Sequence, residues 1–286
     1  MGYLLLSLLC SLLVGFFLKK INFTNHSGFS LVLLTSYIIA SLSSYLFFKP
    51  SINSIINVSD QYLLIFILGI LMPSVFFILN KSLKINGIAK TDIFQRLSLI
   101  IPVLLSFWLF NENFTLIKLL VIVLSFMAIL LLLYKNSTNN GKNSIVLGFL
   151  VFIGYGVIDT LFKIIAINNS LYYTTILFLV FSLCSFTSTL FIIKNKEKPY
   201  RLSNIWQGIV LGCLNFANIF FYLKAHQYFK ESPTLVFITM NLGVILGGFL
   251  IGKFYFNEKF SKQTYLGCCC AAFAIVILAL HQMKYL

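Results

Sequence analysis

Acid is what this chain has least of: Asp and Glu together number seven in 286 residues, and all charged residues make up only 10%. A soluble domain of this length could not cover its surface with so little polarity. Sequence signatures of several enzyme classes are missing too. There is no G-x-x-x-x-G-K-[ST] loop, so the chain is not expected to hydrolyse ATP. H-E-x-x-H, G-x-S-x-G and paired intramembrane Asp motifs are also absent, and no serine and histidine are ordered into a triad. No C-x-x-C pair occurs, so neither a metal nor a disulfide framework is expected. No cofactor is implied, and the chain reads as a non-enzyme.

What is present is apolar. Hydrophobic residues make up 59%, Phe alone contributes 31, and the mean hydropathy is +0.96. Lipid is the solvent that suits such a surface. The net charge of +14 would point to nucleic acid in a soluble chain. Here the lysines fall mostly in short links between apolar runs, where they anchor and orient membrane segments. No RNP-like or helix-turn-helix pattern supports a nucleic-acid partner. The six cysteines lie inside the apolar runs. Cys268, Cys269 and Cys270 are consecutive, and on a helix they point about 100° apart. They cannot converge on one ion, and they read as small hydrophobes.

Runs long enough to cross a bilayer, about 20 residues each, fall near 2–19, 29–48, 61–80, 89–110 and 115–134. After KNSTNNGKNS (135–144), five more fall near 145–166, 172–193, 204–225, 232–254 and 262–281. The first run lacks a basic leader and a small-x-small cleavage site, so it reads as a span and not a signal peptide. The expectation is an all-α polytopic membrane protein of ten transmembrane helices.

The chain also repeats itself. FNENFT (110–115) returns as FNEKFS (256–261), 146 residues later, and Gly2-Tyr3-Leu4 aligns with Gly148-Phe149-Leu150 at the same offset. The sequence thus divides into a first five-helix repeat over 1–135, a polar linker over 136–144 and a second repeat over 145–286. Five spans per half is odd, so the halves enter the membrane in opposite orientations. Inverted repeats of this kind are a transporter architecture. In each hexapeptide Thr115 or Ser261 suits the N-cap of the next helix, with Glu112 or Glu258 beside its positive end. These turns mark the architecture and not the chemistry.

Three stretches carry a family resemblance. GIAKTDIFQRLSLIIPVLLSFWLFNENFTLIKLLVIVLSFMAILLLLYK (87–135) resembles the closing part of an EamA-type half of the drug/metabolite transporter superfamily. SPTLVFITMNLGVILGGFLIGKFYFNEKFSKQTYLG (232–267) repeats that pattern. GYGVIDTLFK (154–163) is similar to the Gly-rich start of the sixth span in family members. The resemblance covers essentially the whole chain and says nearly nothing of the substrate. It implies ten helices around a central cavity and alternating-access transport of small metabolites.

Candidate site residues follow from the cost of charge and amide in hydrocarbon. Asp92 and Asp159 fall within spans, each followed one turn later by a cation, Arg96 and Lys163. The i,i+4 spacing puts each pair on one helix face. In one reading Arg96 and Lys163 attract an anionic group while the aspartates tune them or carry a proton. In the other, each pair is a structural tie or snorkels. Cavity lining is preferred for Arg96, beside Gln95 and ahead of Pro102. Snorkelling is preferred for Lys163, near its span end.

In the eighth span Gly208, Gly212, Asn215, Asn218, Tyr222 and His226 lie on one face, which must look at a helix or a cavity. Asn215 and Asn218 read equally as substrate contacts or as interhelical glue, and His226 reads as a solvated terminus. Asn241 matches Gln95 by the repeat. Gly243/Gly247 and Gly248/Gly252 read as helix-packing pairs.

The function expected is secondary transport of a small organic metabolite, anionic or zwitterionic, across the cytoplasmic (inner) membrane of a prokaryote, by a monomer or homodimer in the lipid bilayer. The alternative is a non-transporting sensor, scaffold or lipid-handling protein on the same fold. The lysine bias of alternate loops puts both termini outside, whereas the family resemblance puts them inside.

Overall fold

The computed structural model describes residues 2–20, 26–98, 100–109, 115–133, 142–168, 172–195, 202–231, 233–255 and 262–283. Among them all regular structure is helical. The helices are α1 Gly2–Lys20, α2 His26–Phe48, α3 Ile52–Ile56, α4 Tyr62–Leu97, α5 Ile100–Leu109 and α6 Leu116–Leu133, then α7 Lys142–Asn168, α8 Tyr173–Asn195, α9 Leu202–Tyr228, α10 Pro233–Phe254 and α11 Lys262–Met283. Residues 110–114, 134–141 and 256–261, which hold most of the two hexapeptides and of the linker, lie outside the described residues.

Among the described residues, five segments are long and apolar enough to cross a membrane: Gly28–Phe48, Ser59–Ser82, Val146–Ile167, Tyr173–Ile193 and Leu202–Tyr228. Shorter apolar segments, Gly2–Phe17, Leu119–Ala128, Leu235–Ile251 and Tyr265–Ala274, coincide with the first, fifth, ninth and tenth runs of the sequence. The protein is an all-α, membrane-embedded chain.

The third and fourth runs differ from expectation. They are not two helices parted near residues 81–88. α4 continues for 36 residues, well beyond the roughly 20 that one crossing takes. The stretch 81–88 contains one glycine and no proline, so nothing in it stops a helix. The break comes instead at Ser98, where the Ile101 N–H bonds the Ser98 carbonyl at 3.0 Å and Ser98 Oγ donates to the Gln95 carbonyl at 2.6 Å. Pro102 then falls in the first turn of α5, where a missing N–H costs no helical bond. At the end of α2, Lys49 adopts a left-handed conformation (φ 43°) just ahead of Pro50, which ends the helix.

The chain forms two compact units, each drawing on both sides of the linker: residues 1–74 with 161–227, and residues 75–160 with 228–286. In the first unit α2 packs along α8. The Ser41 and Ser182 hydroxyls are 2.7 Å apart, and the rings of Tyr45 and Phe178 lie at 5.8 Å. Four residues forward on α2 correspond to four residues back on α8, so the two helices run antiparallel. Glycines let α9 approach α2 closely. A Cβ at Gly208 would strike Thr35, and one at Gly212 would strike the Ser36 carbonyl. This is the small-residue contact that membrane helices use in place of a hydrophobic drive.

In the second unit α11 lies along α6, and α10 touches α5, α6 and α11. Val121, Ser125 and Ala128 are buried on α6, and Gly267, Ala271 and Ala274 are buried on α11. Each trio has helical spacing, and the second is the first displaced by the same 146 residues. Cys268 is buried, Cys269 exposed and Cys270 intermediate, as three successive directions on one helix require.

Candidate functional site

Two nitrogen bases are fully buried. Lys163 on α7 and His226 in the last turn of α9 are each 0% exposed. The Tyr222 ring meets the His226 ring edge-on, with centroids 4.6 Å apart, which is the arrangement their quadrupoles favour. Both readings made from position along the span are therefore corrected. Lys163 does not snorkel, and His226 is not a solvated terminus, because each is fully buried. A position near a helix end does not reveal this. What does signal His226 is the polar stripe, which reaches it four residues after Tyr222.

The same α9 face is held further down by α1. Ser7 Oγ lies 2.8 Å from Oδ1 of Asn218 and 3.1 Å from its carbonyl oxygen. Ser7 is fully buried, whereas Asn215, Asn218 and Tyr222 are half-buried. A side-chain hydrogen bond between membrane helices is worth about 0.6–2 kcal/mol. Asn218 thus serves as interhelical glue at its oxygen while keeping its amino group for a further acceptor. Ser7 itself carries no sequence signal beyond being a hydroxyl in an apolar run.

An aromatic column rises beside this face. Phe47, Phe216, Phe220 and Tyr173 stack in succession at centroid distances of 6.1, 6.2 and 6.2 Å. The Lys224 ammonium sits 5.0 Å from the Tyr173 centroid, within the range of a cation–π attraction.

The remaining candidates belong to the second unit. Asp159 is half-buried on α7, one turn before Lys163. Asn241 is half-buried and donates from Nδ2 to the Phe237 carbonyl of its own helix at 3.0 Å. Gln95, its partner by the repeat, is also half-buried. The side chains of Asp92 and Arg96 lie outside the described residues, although both positions are helical in α4. Among the described residues no group of three or more His, Cys, Asp or Glu could hold a metal ion.

The arrangement offers positive charge, amide and aromatic surface, with no nucleophile–base pair among the described contacts. A solved crystal structure has the same fold, with a TM-score of 0.72 over 99% of this chain and 97% of the other at 12% identity. No protein-family model matches the sequence. An uncharacterized protein of Haemophilus influenzae is 37% identical over 291 residues, covering 97% of each chain. The chain belongs to the family of that Haemophilus influenzae protein.

Proposed function

We propose that the protein is a secondary transporter of a small organic metabolite, built as two inverted five-helix halves of the EamA type and working by alternating access in the cytoplasmic membrane. The observation that carries this reading is the antiparallel pairing of α2 with α8. The two helices occupy equivalent places in the 146-residue repeat, and Ser41–Ser182 and Tyr45–Phe178 fix their opposed directions. Equivalent helices of halves with the same orientation would run parallel. The matching buried faces of α6 and α11 support the repeat independently.

Opposed halves that share one design suit a protein that exposes a site alternately to either side. The solute in this reading is anionic or zwitterionic, because an intramembrane arginine and a fully buried lysine are costly to keep without a role. The protein leaves the solute chemically unchanged.

The test is flux. Purified protein in liposomes is given a panel of labelled carboxylates, amino acids and neutral metabolites, in both directions. Saturable movement of at least one carboxylate or amino acid above empty liposomes is expected. A folded, correctly inserted protein that moves none of them, while it still binds one in detergent, would overturn transport in favour of a sensor or scaffold.

A further inference from the structure

Helix α4 carries Pro73 in its interior. Proline has no N–H, so the carbonyl four residues earlier, that of Gly69, loses its donor within the helix. In hydrocarbon an unsatisfied carbonyl is costly and must be met by a neighbour. Here the neighbour is Thr187 of α8, whose Oγ1 lies 2.8 Å from the Gly69 oxygen. Gly69 is also a point of close approach between the two helices, since a Cβ there would overlap the Leu183 side chain. The absence of a side chain at Gly69 lets the Thr187 hydroxyl reach the backbone.

The Thr187 hydroxyl has one proton and three carbonyls within reach. Besides Gly69, the Leu183 and Cys184 carbonyls of its own helix lie at 3.1 Å each. It can turn away from α4 and bond its own helix, as membrane threonines commonly do, without being left unsatisfied. Next along α4, Ser74 Oγ donates to the Ile70 carbonyl at 2.7 Å, a back-bond that favours helix bending. The first unit's stretch of α4 ends at Ser74. A proline, a freed carbonyl and a back-bonded serine are thus concentrated where the chain leaves one compact unit.

We propose that Thr187 is a releasable latch on a bend of α4 over residues 69–74, its hydroxyl alternating between the Gly69 carbonyl and its own helix while the bend opens and closes. Sharp helix bends arise at proline and where a side chain inserts into the hydrogen-bond ladder. The inference goes beyond the transport reading and does not depend on it. The bend is measured directly, so a failure of flux and a failure of the latch are separate results.

The test uses the full chain with its six cysteines replaced, spin-labelled at Leu63→Cys and Ile85→Cys. Both positions are exposed on α4, at 72% and 43%. For a straight helix they lie about 33 Å apart, a distance that pulsed electron resonance resolves. Thr187→Val keeps the shape and removes the hydroxyl. It should broaden the distance distribution and shift it towards shorter values, while Thr187→Ser should match the parent. Pro73→Ala restores the missing donor. It should narrow the distribution, and Thr187→Val added to it should then change nothing.

An unchanged distribution in Thr187→Val, or an equal shift in the Pro73→Ala background, overturns the latch and leaves Thr187 a packing residue. If Thr187→Val alone does not fold, recovery of folding by Pro73→Ala supports the latch, and failure to recover overturns it.

Discussion

The hydroxyls of Ser41 on α2 and Ser182 on α8 lie 2.7 Å apart, joining two helices that stand at the same place in the two halves of the repeat. With Tyr45 on Phe178, the contact sets the direction of one helix against the other. Inversion of the halves is thereby reduced to a pairwise question. Ser41→Cys with Ser182→Cys, in a cysteine-free chain, should cross-link under mild oxidation. Ser41→Cys with Leu190→Cys should not, because Leu190 lies eight residues, about 12 Å, further along α8. Mobility of the oxidised and reduced chains after a protease cut in the 135–144 link reads the result. Efficient cross-linking of the second pair alone would place the helices in a different register.

The glycines of α9 give a second expectation. Gly212 faces the Ser36 carbonyl, where an added methyl would force backbone apart, whereas Gly15 on α1 has nothing within 4 Å of where its Cβ would be. Gly212→Ala should destabilise by about 1–3 kcal/mol through overpacking. Gly15→Ala should be neutral or stabilising by up to about 1 kcal/mol, from helix propensity alone. Unfolding in mixed detergent measures both. Equal effects would show that the α2–α9 approach is not close in the membrane.

Most of this architecture is legible in the sequence because it rests on features that persist in one dimension. Run length gives the helical, membrane-embedded class, and the 146-residue echo of FNENFT in FNEKFS suggests the halves of the proposed architecture. The places where the reading departs from the structure are tertiary. The link between the third and fourth runs looks polar enough for a loop, yet it is helical because it lacks a stop residue. Lys163 and His226 lie near helix ends, which suggests water, but neighbouring helices enclose them. Pro73 breaks the hydrogen-bond ladder of α4. Thr187, which completes its broken ladder, is 114 residues away, and no periodicity connects the two.

In the proposed transport reading, Arg96 is the residue on which the choice of solute turns. Its guanidinium offers a planar fork of donors that matches a carboxylate, and an ammonium offers only a point charge. Arg96→Lys should retain expression and thermal stability while losing most carboxylate flux, on the order of tenfold or more. Asp92→Asn tests the competing view of a fixed Asp92–Arg96 tie. If Arg96→Lys transports normally while Asp92→Asn fails to fold, the pair is structural.

Lys163 allows a sharper separation of roles, because its full burial makes the two cases differ in sign. A lysine whose charge is balanced by a permanent partner within the protein cannot be neutralised cheaply. Removing one member of a buried pair leaves the other uncompensated and costs about 3–5 kcal/mol. A lysine kept for a transient anionic solute carries a desolvation cost at rest. Replacing it by an apolar side chain of similar length removes that cost and should leave stability unchanged or raise it. In the second case Lys163→Met folds with equal or higher stability and loses flux of anionic solutes, while neutral solutes are affected less; in the first it loses stability. His226→Phe, which keeps a ring against Tyr222, should likewise fold. Unfolding curves alongside flux decide between the two roles. A Lys163→Met protein that fails to fold, or folds only with a matching carboxylate neutralised by Asp159→Asn, would assign Lys163 to structure and remove it from the solute path.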